Sequence, residues 1–272
     1  MAGKTIVLAH GVLGFGELLP KFSPVHYFNG VAALLRGQGH KVLEPTVSAT
    51  GTIRDRGTAL ADAIVNNTQP GERVHIIAHS MGGLDARFAI TNRSDVAQRI
   101  ATLVTIGTPH QGSPVANAFE KQTGPLFEAI PGPFRQHLQD FAKKNAGALH
   151  DLTTEGGQQF DRDTPDVKSV RYIEVAGDAA KGKESILFTL AAKIGSLTNE
   201  INDGVVTRSS ALRADHQHLD DWPVDHGGEI GWGLDSPAPL EFKLLLSRLP
   251  LLSGFSQLPP HLARYEAIVA ML

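Results

Sequence analysis

Five short strand candidates, separated by stretches of helical spacing, constrain this chain most. They are Ile6 to Ala9, His40 to Leu43, Val74 to Ala78, Ile100 to Ile106 and Val170 to Ala176. Phe28 to Arg36, Ile53 to Asn66 and Gly82 to Thr91 carry apolar residues at helical intervals between them. Ile6 to Ala9, apolar throughout, reads as a strand buried on both faces. Strands that alternate with helices predict a mostly parallel sheet with helices on both sides. At 272 residues and 42% hydrophobic, the chain suits one α/β domain over 1–272 with an insertion.

The alternation breaks between about Gln111 and Lys168. Pro114, Gly124, Pro125, Pro131, Gly132 and Pro133 interrupt it, and an amphipathic piece follows from Phe134 to Leu149. This stretch is expected to form a cap or lid over the sheet, since long inserts at loop ends shape or gate sites. Lys181 to Glu200 is a second insertion, with Ile186 to Ile194 helix-like. The tail carries Leu240 to Leu249, a proline turn at Pro259-Pro260 and a last helix from His261 to Leu272.

A net charge of -3 without a basic stripe argues against nucleic-acid binding. With no cysteine there is neither a disulfide framework nor a thiolate metal site. No stretch is long and apolar enough for a transmembrane segment. Met1 to Thr5 lead straight into the first strand, leaving no room for an export signal. The cellular address is left open between the cytoplasm, export without an amino-terminal signal and export as a mature form.

The strongest local signal is Ala78-His79-Ser80-Met81-Gly82-Gly83, placed after an apolar strand and before a helix. That is the setting of a nucleophile elbow, the strand-to-helix turn of the α/β-hydrolase fold. The turn lifts the Ser80 hydroxyl out of the sheet and needs small residues two positions to either side. Glycine usually fills both positions; here Ala78 takes the first. The helix N-terminus behind the serine favours developing negative charge. The loop His10-Gly11-Val12-Leu13-Gly14, after the first strand, is placed to complete an oxyanion hole. Its donors are the backbone N–H groups of Val12 and Met81. The His10 imidazole reads as a loop histidine bonded to backbone, because it precedes the serine.

The expected chain order is serine, acid, histidine. Asp203, in Asn202-Asp203-Gly204-Val205-Val206, is the preferred acid, with Asp178 after the fifth strand as its rival. His226, in the loop Pro223-Val224-Asp225-His226-Gly227-Gly228, is the preferred base. His216 and His218 flank Gln217 in a polar stretch and read as solvent-exposed. His261 reads as a surface residue.

Taken in order, these pieces resemble the bacterial true lipases of the Pseudomonas, Burkholderia and Proteus type. The matching stretches are His10 to Phe15, Tyr27-Phe28-Asn29-Gly30, Leu34-Leu35-Arg36, Arg56-Gly57, and the elbow with Ala86-Arg87. Gly107 to Ser113, Leu152 to Glu155, Asn202 to Ser210 and Asp220-Asp221 before Asp225-His226 complete them. The resemblance implies a Ser80, Asp203 and His226 triad, oxyanion amides from Val12 and Met81, long-chain acyl esters as substrates and a mobile lid. Such lipases commonly hold calcium through an aspartate two residues after the base. Here that position is Gly228, followed by Glu229, and 181–200 offers no clear second ligand. No metal and no other cofactor is therefore expected. The match is poor after Gly231.

The residues thus point to a serine carboxylic-ester hydrolase of lipase-like character, acting on acyl esters or lipids, with a lipid–water interface as its natural partner. A short-chain esterase and an acyltransferase use the same chemistry and stay open, since acceptor choice depends on pocket shape. A non-catalytic binding protein on the same fold is the reading from a different class.

Overall fold

The computed structural model describes residues 3–11, 27–48, 50–129, 135–136, 139–140, 142–143, 145–181, 186–231 and 260–272; for 181 and 186–189 it describes the backbone alone. Its frame is a parallel sheet of six strands. These are β1 Thr5–Ala9, β2 Lys41–Leu43, β3 Val74–His79, β4 Ile100–Ile106, β5 Arg171–Val175 and β6 Gln217–His218. Their spatial order is β2-β1-β3-β4-β5-β6, every pairing parallel. The five predicted strands are present, shifted by a residue or two at their ends.

Every residue of β1, β3 and β4 is buried, which suits their mostly apolar sequences. Successive side chains still take opposite faces. Ile6 and Leu8 of β1 join one core with Val31 and Leu35 of α1 (Val31–Gly37) and with Tyr265 and Ile268 of the last helix. Val7 and Ala9 join the other core. There they meet Leu60 and Ile64 of α2 (Ile53–Asn67) and Ala86 and Ile90 of α3 (Met81–Asn92). Thr52 caps α2 by accepting the Asp55 N–H at 3.2 Å. A short α4 (Ser94–Ala97) leads into β4.

Between β4 and β5 lie α5 (Pro114–Lys121), α6 (Pro125–Ala129), α7 (Ala146–Asp151) and α8 (Thr154–Asp163). After β5 comes α9 (Ile186–Thr198), then α10 (Arg208–Ala211); α11 (Pro260–Met271) is the last helix. Phe119, Leu126, Phe127, Leu149, Leu190 and Ile194 share one buried cluster. The two stretches that interrupt the strand–helix alternation therefore pack against each other as one layer. Of the expected helix 134–149, the described residues include 135–136, 139–140 and 142–143, all helical, and the start of α7. The expected tail segment 240–249 lies outside the described residues. Pro260 opens α11 rather than breaking the chain before it, as proline does at a first helical position.

Chain order and spatial order together locate the site. The chain leaves β1 for β2 on one side and returns to β3 on the other. The carboxyl ends of β1 and β3 thus flank the switch point, where open α/β sheets bind ligands. His10-Gly11 and Ser80 stand at those two ends.

Candidate active site

Ser80 adopts φ 57° and ψ -134°, a left-handed backbone that residues with a Cβ rarely hold. The sheet imposes it. Ser80 N–H continues the ladder by donating to Ile106 O at 2.9 Å, while Met81 already begins α3. Gly82 meets the space requirement most sharply: a Cβ there would lie 2.3 Å from Ala9 O and 2.8 Å from His10 O. Ala78 sits in the sheet-facing core, where a methyl group fits, so the missing glycine costs nothing at that position. Thr108 Oγ1 donates to Ser80 O at 2.9 Å and fastens the turn from the β4 side.

The structure brings the three predicted residues together. His226 Nε2 lies 3.0 Å from Ser80 Oγ, and His226 Nδ1 lies 2.7 Å from Asp203 Oδ2. Asp203 belongs to a tight turn in which its Oδ1 accepts the N–H groups of Val205 at 2.8 Å and Val206 at 2.7 Å. Gly204 supplies the positive φ, 92°, that this turn requires. His226 N–H donates to Asp203 O at 3.0 Å, so backbone and side chain register the same two residues. Asp178 holds a different place: its Oδ1 accepts the Ala180 N–H at 3.1 Å in the turn after β5.

Of the two expected oxyanion donors, Met81 is the first residue of α3. Its amide is one of those a helix leaves without an internal partner. Val12 lies outside the described residues. The loop leading to it is held firmly: Arg56 donates to His10 O at 2.8 Å and to Ser48 O at 2.6 Å, and its guanidinium pairs with Asp85 at 2.7 Å. His10 itself binds backbone, with Nδ1 2.8 Å from Gly11 O and Nε2 accepting Val47 N–H at 3.3 Å.

The sequence reading missed one group, the fully buried Glu229. Its Oε2 lies 2.9 Å from His79 Nε2 and 3.4 Å from His226 Nδ1. Two glycines make room for this carboxylate. A Cβ on Gly107 would come within 2.2 Å of Oε2, and one on Gly177 within 2.5 Å of Oε1. Burial pushes Glu229 and Asp203 above the usual carboxylate range. Burial alone would lower His226, but Asp203 and then Glu229 outweigh it and hold the imidazole above its ordinary value. Burial, together with the charge of His226, holds His79 well below the usual histidine range.

His79, His226 and Glu229 offer ligand atoms all within 4.8 Å of one another. Hydrogen bonds already use those atoms: His79 Nε2 also meets the His226 carbonyl at 3.1 Å, and His226 Nε2 faces Ser80. The donor set at 228–229 does not suit the calcium that the sequence resemblance brings to mind. Gly228 has no side chain, its N–H donates to Asp225 Oδ1 at 2.7 Å, and an added Cβ would meet Val224 Cβ at 2.9 Å. Glu229 points inward to the histidines.

Two other histidines depart from expectation. His216 is not a solvent-exposed residue: it bridges Glu174 at 2.7 Å and Asp166 at 2.8 Å beside β6. His261 is partly buried and binds Asn29 O through Nε2 at 2.7 Å.

This geometry can be set beside known proteins. The family described as "PGAP1-like alpha/beta domain" matches residues 44–179, half of the chain. The chain belongs to that family. A triacylglycerol lipase of Vibrio cholerae is 29% identical over 258 residues, covering 83% of this chain and 78% of the relative. Triacylglycerol lipase 2 of Saccharomyces cerevisiae is 30% identical over 217 residues, covering 76% of this chain and 63% of its own. A triacylglycerol lipase of Pseudomonas fragi is 30% identical over 174 residues, with 59% and 57% covered. The chain thus spans less than two thirds of the last two relatives. In structure, a metagenomic carboxyl esterase superposes with a TM-score of 0.72 at 20% identity, covering 100% of this chain and 76% of that one. The mature lipase of Bacillus licheniformis gives 0.65 at 21%, with 90% and 92% covered. The fold is that of the α/β-hydrolases. Sequence relatives and fold together make the chain a lipase-like serine ester hydrolase.

Proposed function

We propose that Ser80 is the nucleophile, His226 the general base and Asp203 the acid that orients it, with Met81 and Val12 amides as the oxyanion hole. The observation that carries this is the unbroken line Ser80 Oγ, His226 Nε2, His226 Nδ1, Asp203 Oδ2, with hydrogen-bond contacts of 3.0 and 2.7 Å, on a strained elbow. His226 removes the Ser80 proton as Oγ attacks the ester carbonyl. Asp203 fixes the Nδ1–H tautomer and stabilises the imidazolium that forms. The carbonyl oxygen, now negative, takes the two backbone N–H groups, each such donor contributing about 3 kcal/mol to the barrier reduction. His226 then protonates the departing alcohol. Water, activated by the same imidazole, releases the acid and restores Ser80.

The finer reading is a true lipase of the Pseudomonas, Burkholderia and Proteus type, acting on long-chain acyl esters without calcium. The layer of α5, α6, α7 and α9 serves as its lid, inside the insertion 111–168 and the following 181–200. Buried Leu126 and Phe127 in that layer support an apolar acyl site; Ile130, Phe134 and Leu138 of the same insertion lie outside the described residues. The inward Glu229 and the bare Gly228 support a calcium-free reaction. One experiment addresses all of this: a series of p-nitrophenyl esters of rising chain length, with and without EDTA, on the wild type and Ser80→Ala. The expected result is a preference for long chains, no effect of EDTA and loss of all turnover in the variant. Turnover retained by a folded Ser80→Ala sinks the nucleophile assignment. A short-chain optimum sinks the lipase reading, and EDTA inhibition restores the metal.

A further inference from the structure

Behind the base runs a second buried polar chain, from Glu229 through His79 to Tyr27. Glu229 Oε2 lies 2.9 Å from His79 Nε2, and His79 Nδ1 lies 2.7 Å from the Tyr27 hydroxyl. All three side chains are buried. The Tyr27 hydroxyl rests on Gly11, where an added Cβ would come within 2.7 Å of it. One end of the chain touches the base loop and the other the oxyanion loop.

The proton positions follow from the acceptors. His79 Nε2 lies 3.1 Å from the His226 carbonyl, which can only accept, so Nε2 carries the hydrogen. Nδ1 is then the lone-pair nitrogen and takes the Tyr27 O–H. At the other end, Glu229 Oε2 accepts from His79 and faces His226 Nδ1 at 3.4 Å. Each link has one direction, and the chain points from Tyr27 to Glu229. Such a line fixes two loops relative to each other, because no member can rotate without leaving a buried polar atom unpaired.

We propose that Glu229, His79 and Tyr27 are positioning residues, a buried strut that sets the His226 base and the Gly11 end of the oxyanion loop at their working separation. None of the three bonds the Ser80 hydroxyl, and the strut acts through the residues that do. It rests on the acyl-transfer reading above. The charged and titratable groups facing His226 and Glu229 are Asp203 from the turn after α9, His79 from β3 and Arg264 from α11. Tyr265 of α11 donates its hydroxyl to the Glu229 carbonyl.

Two conservative variants test the strut. Tyr27→Phe removes only the hydroxyl. It is expected to lower kcat by about ten- to a hundredfold, the scale of a small misplacement of reacting groups, with KM within about twofold. Glu229→Gln keeps the size and an acceptor for His79 but removes the charge. It is expected to lower kcat and to move the acid limb of the kcat/KM profile to lower pH. The double variant should be no slower than the slower single, since breaking one link releases the whole strut. The proposal is overturned if Tyr27→Phe keeps its kcat and Glu229→Gln leaves the acid limb in place, or if the two losses multiply. Should Tyr27→Phe fail to fold, the limb of Glu229→Gln decides alone. A wild-type protein that cleaves no ester overturns the acyl-transfer reading; an active wild type with unaltered variants overturns only the strut.

Discussion

At the scale of single residues, the site depends on where a side chain is absent as much as on where one is present. Gly82 shows this best. Its Cα faces the Ala9 and His10 carbonyls at the end of β1, and an added Cβ would meet them at 2.3 and 2.8 Å. Neither carbonyl can yield without pulling β1 from β3. Gly82→Ala is therefore expected to displace the elbow and abolish labelling of Ser80 by a fluorophosphonate probe, with a melting temperature several degrees lower. Full labelling at wild-type stability would refute that account. The turns that bring Ser80, Asp203 and His226 together were legible in the sequence because each is a short stretch whose turn chemistry is local. Glu229 was not. In the sequence it is only the residue after Gly228, where no metal is expected, and only the fold reveals that two distant glycines, 107 and 177, open a cradle for its carboxylate. Contacts of that range leave no periodic trace.

At the scale of elements, helices are joined to the site by buried polar ties. Arg56 on α2 is fully buried and pairs with Asp85 on α3 at 2.7 Å while donating to His10 O on the oxyanion side. Burial drives the Asp85 carboxyl up to about 7 against the pull of Arg56, a sign of how poorly it tolerates this interior alone. Removing one partner of such a pair leaves an uncompensated buried charge, so Arg56→Met should cost about 3–5 kcal/mol in urea unfolding. Adding Asp85→Leu should return most of that loss. A cost below about 1 kcal/mol would show the pair to be incidental. The elements most easily read were β1, β3 and β4, mostly apolar, and α2, with its helical period. Among those the sequence did not show, two have clear reasons. The strand β6 is two polar residues, Gln217 and His218, paired only to β5 at the sheet edge. Helix α8 contains Gly156 and Gly157, ordinarily breakers, yet Gly157 lies so close to Gly112 that a Cβ would come within 2.4 Å of its N–H nitrogen. The packing that needs the glycine overrides its poor helix propensity.

At the scale of the whole molecule, the buried histidines set opposing limits on stability. His10 and His75 are lowered from 6.5 to about 4, by burial first and then by Arg56 and Lys4 respectively. Below their unfolded value the denatured chain takes up protons that the folded one refuses, so stability falls as pH drops from about 6.5 toward 4. His216 acts in the opposite sense. Burial would lower it, but Asp166 and Glu174 hold it up, from 6.5 to about 9. Its contribution is complete below its unfolded value and is lost as pH rises through the folded one, across the window from 6.5 to 9. Asp166, held at about 2 by His216 and Arg213 despite burial, adds a further loss only below pH 4. The melting temperature should therefore peak near pH 6.5 and fall on both sides. His216 lies beside β6, between the sheet edge and the segment that follows α8, whereas His10 and His75 sit at opposite ends of neighbouring central strands. The two limbs should accordingly separate by mutation. His216→Gln is expected to reduce the alkaline loss, leaving the part that the raised His226 contributes, and to keep the acid limb in place. A melting curve whose alkaline limb is unchanged in that variant would show that other groups, not the Asp166–His216–Glu174 bridge, control stability above neutrality.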